Sequence, residues 1–364
     1  IDISAGTVDF DKIKQAQGGQ KTESSGSSSS GGKSSSSPKE ALKPIQGFSL
    51  PLDLGFDISL QKARINNADL EGLRLTGDMV GKQLNLTNAS VNNFAGAALS
   101  LKGKIANLSD LTGLDLALYT KTSDIKKLLA ALKVDSSKLP ADLNALEANV
   151  TGKGSTDSLG FDAKIKDMEG QLDVAGNAVD LLGTPSYNNL VIGLMHPNLV
   201  KAIQIVSPGF KGQAGLSQPV NFRSQASING KKVDLTNMAV KLGQSDFNGN
   251  LKIDVSNKVT SIRGNIQAGT IALDSLLGAK KGKSTSSTGT SGGNGAGGAS
   301  SSSSSSGRWS KTPIDLSWMN TMDIDVDLSA ASITYGAWNF TQPSTALRVG
   351  NGLMTINNMK AGVF

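Results

Sequence analysis

Residues 323–328 read DIDVDL, with Asp323, Asp325 and Asp327 alternating with Ile324, Val326 and Leu328. A period of two is the mark of a β-strand, whose successive side chains point to opposite faces. The segment therefore has a wet face of carboxylates and a dry face of aliphatic side chains. Three readings of the carboxylates compete: a metal cage, a catalytic cluster, and the solvated side of a strand. Oxygen ligands suit calcium. In an extended strand, however, Asp323 and Asp327 stand about 13 Å apart, too far to share one ion without a bend. The related stretch FDISLQ places Asp57, Ser59 and Gln61 on its wet side, so the position asks for polarity alone. The dry side is the more constant one. Ile324, Val326 and Leu328 recur as Ile58 and Leu60, and in kind as Leu84 and Leu86 and as Val233 and Leu235.

The same alternation runs through FDISLQKARI (56–65), ALSLKGKIANL (98–108), FDAKIKD (161–167), QLDVAG (171–176) and FNGNLKIDV (247–255). Gly, Asn, Asp and Ser between these runs supply the turns of a meandering antiparallel sheet. Helical spacing is confined to short segments. Ile125, Leu128, Leu129 and Leu132 fit one, with Ser123 as its expected N-cap, and Pro197 fits the first turn of another. The predicted class is mainly β: an elongated, curved antiparallel sheet of stacked β units forming an apolar groove, with a few short helices. Periodicity alone does not separate this groove from a two-sheet sandwich.

Two low-complexity tracts interrupt the pattern, GGQKTESSGSSSSGGKSSSSPK (18–39) and GKSTSSTGTSGGNGAGGASSSSSSSG (282–307). Neither buries enough apolar surface to offset its ordering entropy, so both read as disordered linkers. IxAGT precedes each tract, at Ile3 and Ile266, and P-[LI]-D-L follows each, at Pro51 and Pro313. This is an internal repeat. A shorter echo starts at Gly81 (GKQLNLTNASV), Gly230 (GKKVDLTNMAV) and Gly350 (GNGLMTINNMKA). The expected organisation is the end of a β unit at 1–17, a linker at 18–44, a repeating groove region at 45–278, a linker at 279–311, and the start of the next unit at 312–364. Strand pattern reaches both ends and no start methionine is present, so the chain is expected to be a piece of a longer protein.

The formal charge of +6 belongs to the linkers. Segment 279–311 holds Lys280, Lys281, Lys283, Arg308 and Lys311 and no acid, and 18–44 holds four lysines against two glutamates. The patterned part therefore lacks the basic footprint of a nucleic-acid binder. No apolar run approaches the roughly 20 residues of a membrane span. Catalytic and metal chemistry find little support. There is no cysteine, and the one histidine, His196, falls at a strand-to-helix turn without a GxSxG or a set of zinc ligands. Phosphate-loop spacing is absent, and the aspartates are spread without a distinguishable glycosidase pair. No cofactor, metal site or enzyme activity is expected.

What remains is the apolar strand face: Leu54, Phe56, Ile58, Leu60, Leu84, Leu86, Leu99, Leu101, Val233, Leu235, Leu251, Ile253, Ile324, Val326 and Leu328. It is either a sealed core or a surface left open for acyl chains. The stretch 313–364 resembles the C-terminal repeat of the AsmA family. The matching positions are Asp323 to Leu328, Ser329 to Ala331, Ile333, Gly336, Leu347, Val349, Gly352, Leu353 and Ile356. Regions 51–105 and 225–277 are similar. The resemblance implies a periplasmic envelope protein of Gram-negative bacteria, anchored in the inner membrane by a segment outside this chain. It further implies phospholipid as the partner, with acyl chains carried along the groove between the inner membrane and components of the outer membrane. The alternative is a scaffold for outer-membrane protein assembly that conducts no lipid.

Overall fold

The computed structural model describes residues 1–9, 12, 53–65, 68–132, 134–136, 139, 143–167, 169–206, 210, 212, 214–276 and 317–363. Both linkers predicted at 18–44 and 279–311 therefore lie outside the described residues. The rest is one long, open, curved sheet of seventeen strands. These are β1 (Asp2–Asp9), β2 (Leu54–Ile65), β3 (Ala68–Val80), β4 (Gln83–Phe94), β5 (Ala97–Asn107), β6 (Thr112–Thr122), β7 (Leu146–Ser155), β8 (Ser158–Lys166) and β9 (Gln171–Val179). They continue as β10 (Ser186–His196), β11 (Val220–Asn229), β12 (Lys232–Leu242), β13 (Ser245–Asp254), β14 (Thr260–Ala272), β15 (Met322–Tyr335), β16 (Trp338–Gly350) and β17 (Leu353–Val363). Each strand pairs with the next one in the chain, and nearly every pairing is antiparallel. The exceptions are β1–β2 and β14–β15, which are parallel. These are the two places where a Ser/Gly tract intervenes. Antiparallel neighbours need only a tight turn, whereas parallel neighbours need a long crossover.

Among the described residues, three helices of one or two turns follow strands of the meander: α1 (Ile125–Ala131) after β6, α2 (Leu199–Val206) after β10 and α3 (Leu273–Leu276) after β14. They follow every fourth strand. Asp124, not Ser123, caps α1, its carboxylate accepting the backbone N–H of Lys127 at 3.0 Å. The turn is fixed two residues before the cap, where the buried Thr122 hydroxyl accepts the Asp124 N–H and donates to the Gly96 carbonyl. In α2 the cap is Asn198, which accepts the Lys201 N–H at 3.2 Å, so Pro197 precedes the cap rather than opening the helix. His196 ends β10 just before it. Its Nδ1 accepts the Asn198 N–H at 3.0 Å, which closes the turn into α2.

Two glycines that open the short echo, Gly81 and Gly230, have φ of 57° each in the turns before β4 and β12, whereas in the third copy Gly350 ends β16 and the turn before β17 is Asn351–Gly352, at 52° and 73°. Only glycine adopts that region without cost. A few residues further on, each echo breaks register. Shifts fall between Leu86 and Ala89 in β4 and between Leu235 and Met238 in β12, and β17 shifts against β16 around Asn358. Asn237 and Asn358 take φ of 51° and 53° there, as Asn189 does in β10. Such bulges add a residue to one strand and bend it. The LTN of the echo is therefore a bending signal as well as a strand.

Candidate functional site: the apolar face

Ladder partners share a face, so the registers sort every strand residue to one side or the other. One row takes a residue from each of β2 to β17: Leu54, Met79, Leu84, Ile105, Leu114, Gly154, Leu159, Ala178, Tyr187, Ile228, Val233, Ile253, Ile262, Ile324, Val349 and Met354. No charged residue interrupts it. A second row lies beside it. Phe56, Leu86, Leu116 and Phe161 alternate with Gly77, Gly103, Gly152 and Gly176, and Leu235, Leu251, Gly264, Val326 and Leu347 continue it. An added Cβ at Gly103, whose φ is 134°, would fall on the Asp115 carbonyl oxygen, so that glycine permits a close backbone approach.

All fifteen residues named from the sequence lie on this face. Leu54, Leu84, Val233, Ile253 and Ile324 fall in the first row, and Phe56, Leu86, Leu235, Leu251 and Val326 in the second. Ile58, Leu101 and Leu328 share a third row with Leu75, Leu118 and Val150, and Leu60 and Leu99 lie beyond it. The registers correct one correspondence. Measured from the preceding parallel strand, Leu328 sits against Ile266 as Ile58 sits against Ile3. The counterparts of Ile324, Val326 and Leu328 are thus Leu54, Phe56 and Ile58. Matching DIDVDL to FDISLQ misled because both alternate with period two, and a shift by two or four residues preserves the pattern while changing the ladder partner. Met79, Ile105, Leu159 and Tyr187 were not singled out beforehand. Their own strands alternate, but the ladder that aligns them depends on the bulges.

Among the described residues no second sheet covers this face, since all seventeen strands belong to one sheet. Yet every buried strand residue lies on it, among them Leu60 at 8% exposure, Val326 at 4% and Val349 at 2%. In a flat single layer such residues would be wet. Curvature toward the apolar side lets neighbouring rows shield one another. Leu118, mid-sheet, keeps 38% of its surface. At one end the face is closed by helices. Leu128 and Ala131 of α1 pack on Leu60, Ala63, Leu70, Phe94 and Ala97, and Ala202 of α2 packs on Val220 and Leu242.

The opposite face is polar and laced with ion pairs. Arg74 meets Asp57 at 2.8 Å, and Lys153 meets Asp115 at 3.2 Å. The three aspartates of DIDVDL point this way and lie between two arginines. Asp323 bonds Arg263 at 2.7 Å, Asp325 bonds Arg348 at 2.6 Å, and Asp327 reaches Arg348 at 3.4 Å. The hydrogen bond to Asp323 holds the Arg263 guanidinium above its ordinary pKa. These carboxylates are thus cross-strand partners of arginine. Among the described residues, no group of three or more His, Asp or Glu is placed to hold a metal ion. No helix among them is long and apolar enough to cross a membrane.

A family model described as AsmA family matches residues 5–364. No curated protein and no solved structure matches the chain.

Proposed function

The chain belongs to the AsmA family, a bacterial envelope family, and on that premise we propose that it carries phospholipid acyl chains along its apolar strand face, between the inner and outer membranes, without catalysing a reaction. The observation that carries this reading is the unbroken apolar row from Leu54 to Met354 on a face that no second layer covers. At the ~4.8 Å spacing of neighbouring strands the row extends roughly 70 Å along the sheet. Burial is worth about 0.8 kcal/mol per methylene, so a chain lying on such a surface offsets much of its extraction from a bilayer. The two rows are mostly aliphatic side chains and glycine, with Phe56, Phe161 and Tyr187 as their aromatic members, and no charged side chain stands in the path, so the chain can slide. Head groups remain in water beyond the strand ends. The setting is the periplasm, and any inner-membrane anchor would come from outside the described residues.

The test is to delipidate the folded chain, incubate it with phospholipid vesicles, re-isolate it, and count bound lipid by mass spectrometry. Stoichiometric phospholipid, reduced by Leu118→Asp with an unchanged circular dichroism spectrum, is the expected result. A folded chain that takes up no lipid would overturn the proposal and favour a scaffold role.

A further inference from the structure

The polar face contains a trough of about 920 Å³ that crosses β12 to β17. Asn248 and Gln267 stand on one wall and Asn250 and Asn265 on the other, with the backbone of Gly249 and Ile266 between them. Asn237 and Asn358, both left-handed and both at the bulge of the repeated LTN-type strand, lie at its two ends. Elsewhere this face is dominated by paired charges. Here carboxamides and hydroxyls outnumber charges, with Asp327 and Lys360 the charged members of the lining. Asn237 donates its backbone N–H to the Asn250 Oδ1 at 3.0 Å and its Nδ2 to the Gln225 Oε1 at 2.9 Å, which fixes the rim and leaves the Asn250 NH2 unspent. The side chains of Asn248, Asn265, Gln267 and Asn358 make no hydrogen bond within the described residues.

We propose that this trough binds a neutral, extended, hydroxyl-rich chain, an oligosaccharide, independently of the lipid face behind it. A carboxamide both donates and accepts, which is what a hydroxyl requires of its partner. On each wall two amides, one from β13 and one from β14, stand one ~4.8 Å strand step apart, an interval comparable to the residue repeat of a flat, linear pyranose chain, and Ser329, Ser344 and Thr345 carry hydroxyls further along the trough. Anionic ligands are poorly served, because Asp327 lies in the trough and Lys360 is its one lysine. With no aromatic platform in the lining, affinity rests on hydrogen bonds and is weak, in the millimolar range.

The experiment is a titration of the 364-residue chain with cellotetraose, followed through the side-chain NH2 resonances of Asn248, Asn250, Asn265 and Gln267. Maltotetraose, the same sugar in a curved chain, serves as comparison. Saturable shifts with cellotetraose, weaker with maltotetraose, are expected. The double variant Asn265→Ala/Gln267→Ala, on exposed positions that leave the fold intact, should weaken binding about fivefold for each hydrogen bond lost. Shifts that do not saturate, or that persist unchanged in the folded double variant, would overturn the proposal. So would equal shifts from glycerol, which would mark non-specific hydroxyl solvation. Lipid uptake should be unchanged in the double variant, so this failure and a failure of the lipid reading are read separately.

Discussion

Asp57 begins the polar face of β2, and its surroundings set its charge. Arg74, on the neighbouring strand, donates from Nε and Nη2 to its two oxygens at 3.3 and 2.8 Å, and Thr76 adds a third contact at 3.4 Å. The hydrogen bond from Arg74 is the main cause that holds this carboxyl below its ordinary 3.8. A depressed carboxylate stabilises the fold fully above its unfolded value and loses that contribution as pH falls through the folded one. In Arg74→Ala the Asp57 carboxyl should therefore titrate closer to its ordinary value, as read from its side-chain carbon resonance. Wild type and variant should differ in urea midpoint above about pH 4 and converge as the pH falls below it. A variant whose Asp57 titrates as in the wild type would contradict the assignment. The aspartates of DIDVDL follow the same logic. The sequence showed that they had to be wet, but their arginine partners lie on β14 and β16, and only the ladder brings those together.

At the scale of the element, α1 is too short to persist by propensity. It depends on its cap and on the seat of Leu128 and Ala131 against the sheet. Asp124→Ala should cost about 1 kcal/mol, the usual loss of an N-cap. Ser123→Ala, at an exposed position next to it, should be near neutral. Urea unfolding followed by tryptophan-independent far-ultraviolet circular dichroism measures both, and equal losses would move the cap back to Ser123. The error in the expected cap has a physical source. Ser and Asp are both good caps and stand side by side, and what chooses between them is Thr122, whose hydroxyl takes the Asp124 N–H and so sets where the helix can start. The strands were more legible. Period-two alternation located β2, β5, β8, β9, β13 and β15 and named dry-face residues in β2, β5, β13 and β15, because the pattern is local. Registers were not legible, because bulges at Leu86–Ala89, Tyr187–Leu190 and Leu235–Met238 shift them by amounts that no single strand records.

Across the whole molecule, the sheet has only neighbours in chain order, so the apolar track is a series arrangement: each strand adds one step and none bypasses another. A conduit built this way is sensitive to a single block in a manner that a core or a scaffold is not. Leu118 and Ala117 provide the comparison, being adjacent in β6 but on opposite faces. Leu118 pairs with Leu101 and Val150 on the apolar side, and Ala117 pairs with Lys102 and Thr151 on the polar side. A carboxylate at 118 would lie under any passing acyl chain, where an unpaired charge is costly to desolvate. A carboxylate at 117 would face a lysine across the ladder. Leu118→Asp should therefore slow transfer of fluorescent phospholipid between donor and acceptor vesicles by at least about tenfold, the effect of roughly 1.4 kcal/mol at one step. Ala117→Asp should transfer at the wild-type rate. Thermal unfolding of the two variants separates the readings. If Leu118→Asp melts far below Ala117→Asp and transfers equally well at low temperature, the face is a core. If it stays folded and transfer stops, the rows from Leu54 to Met354 act as one continuous path.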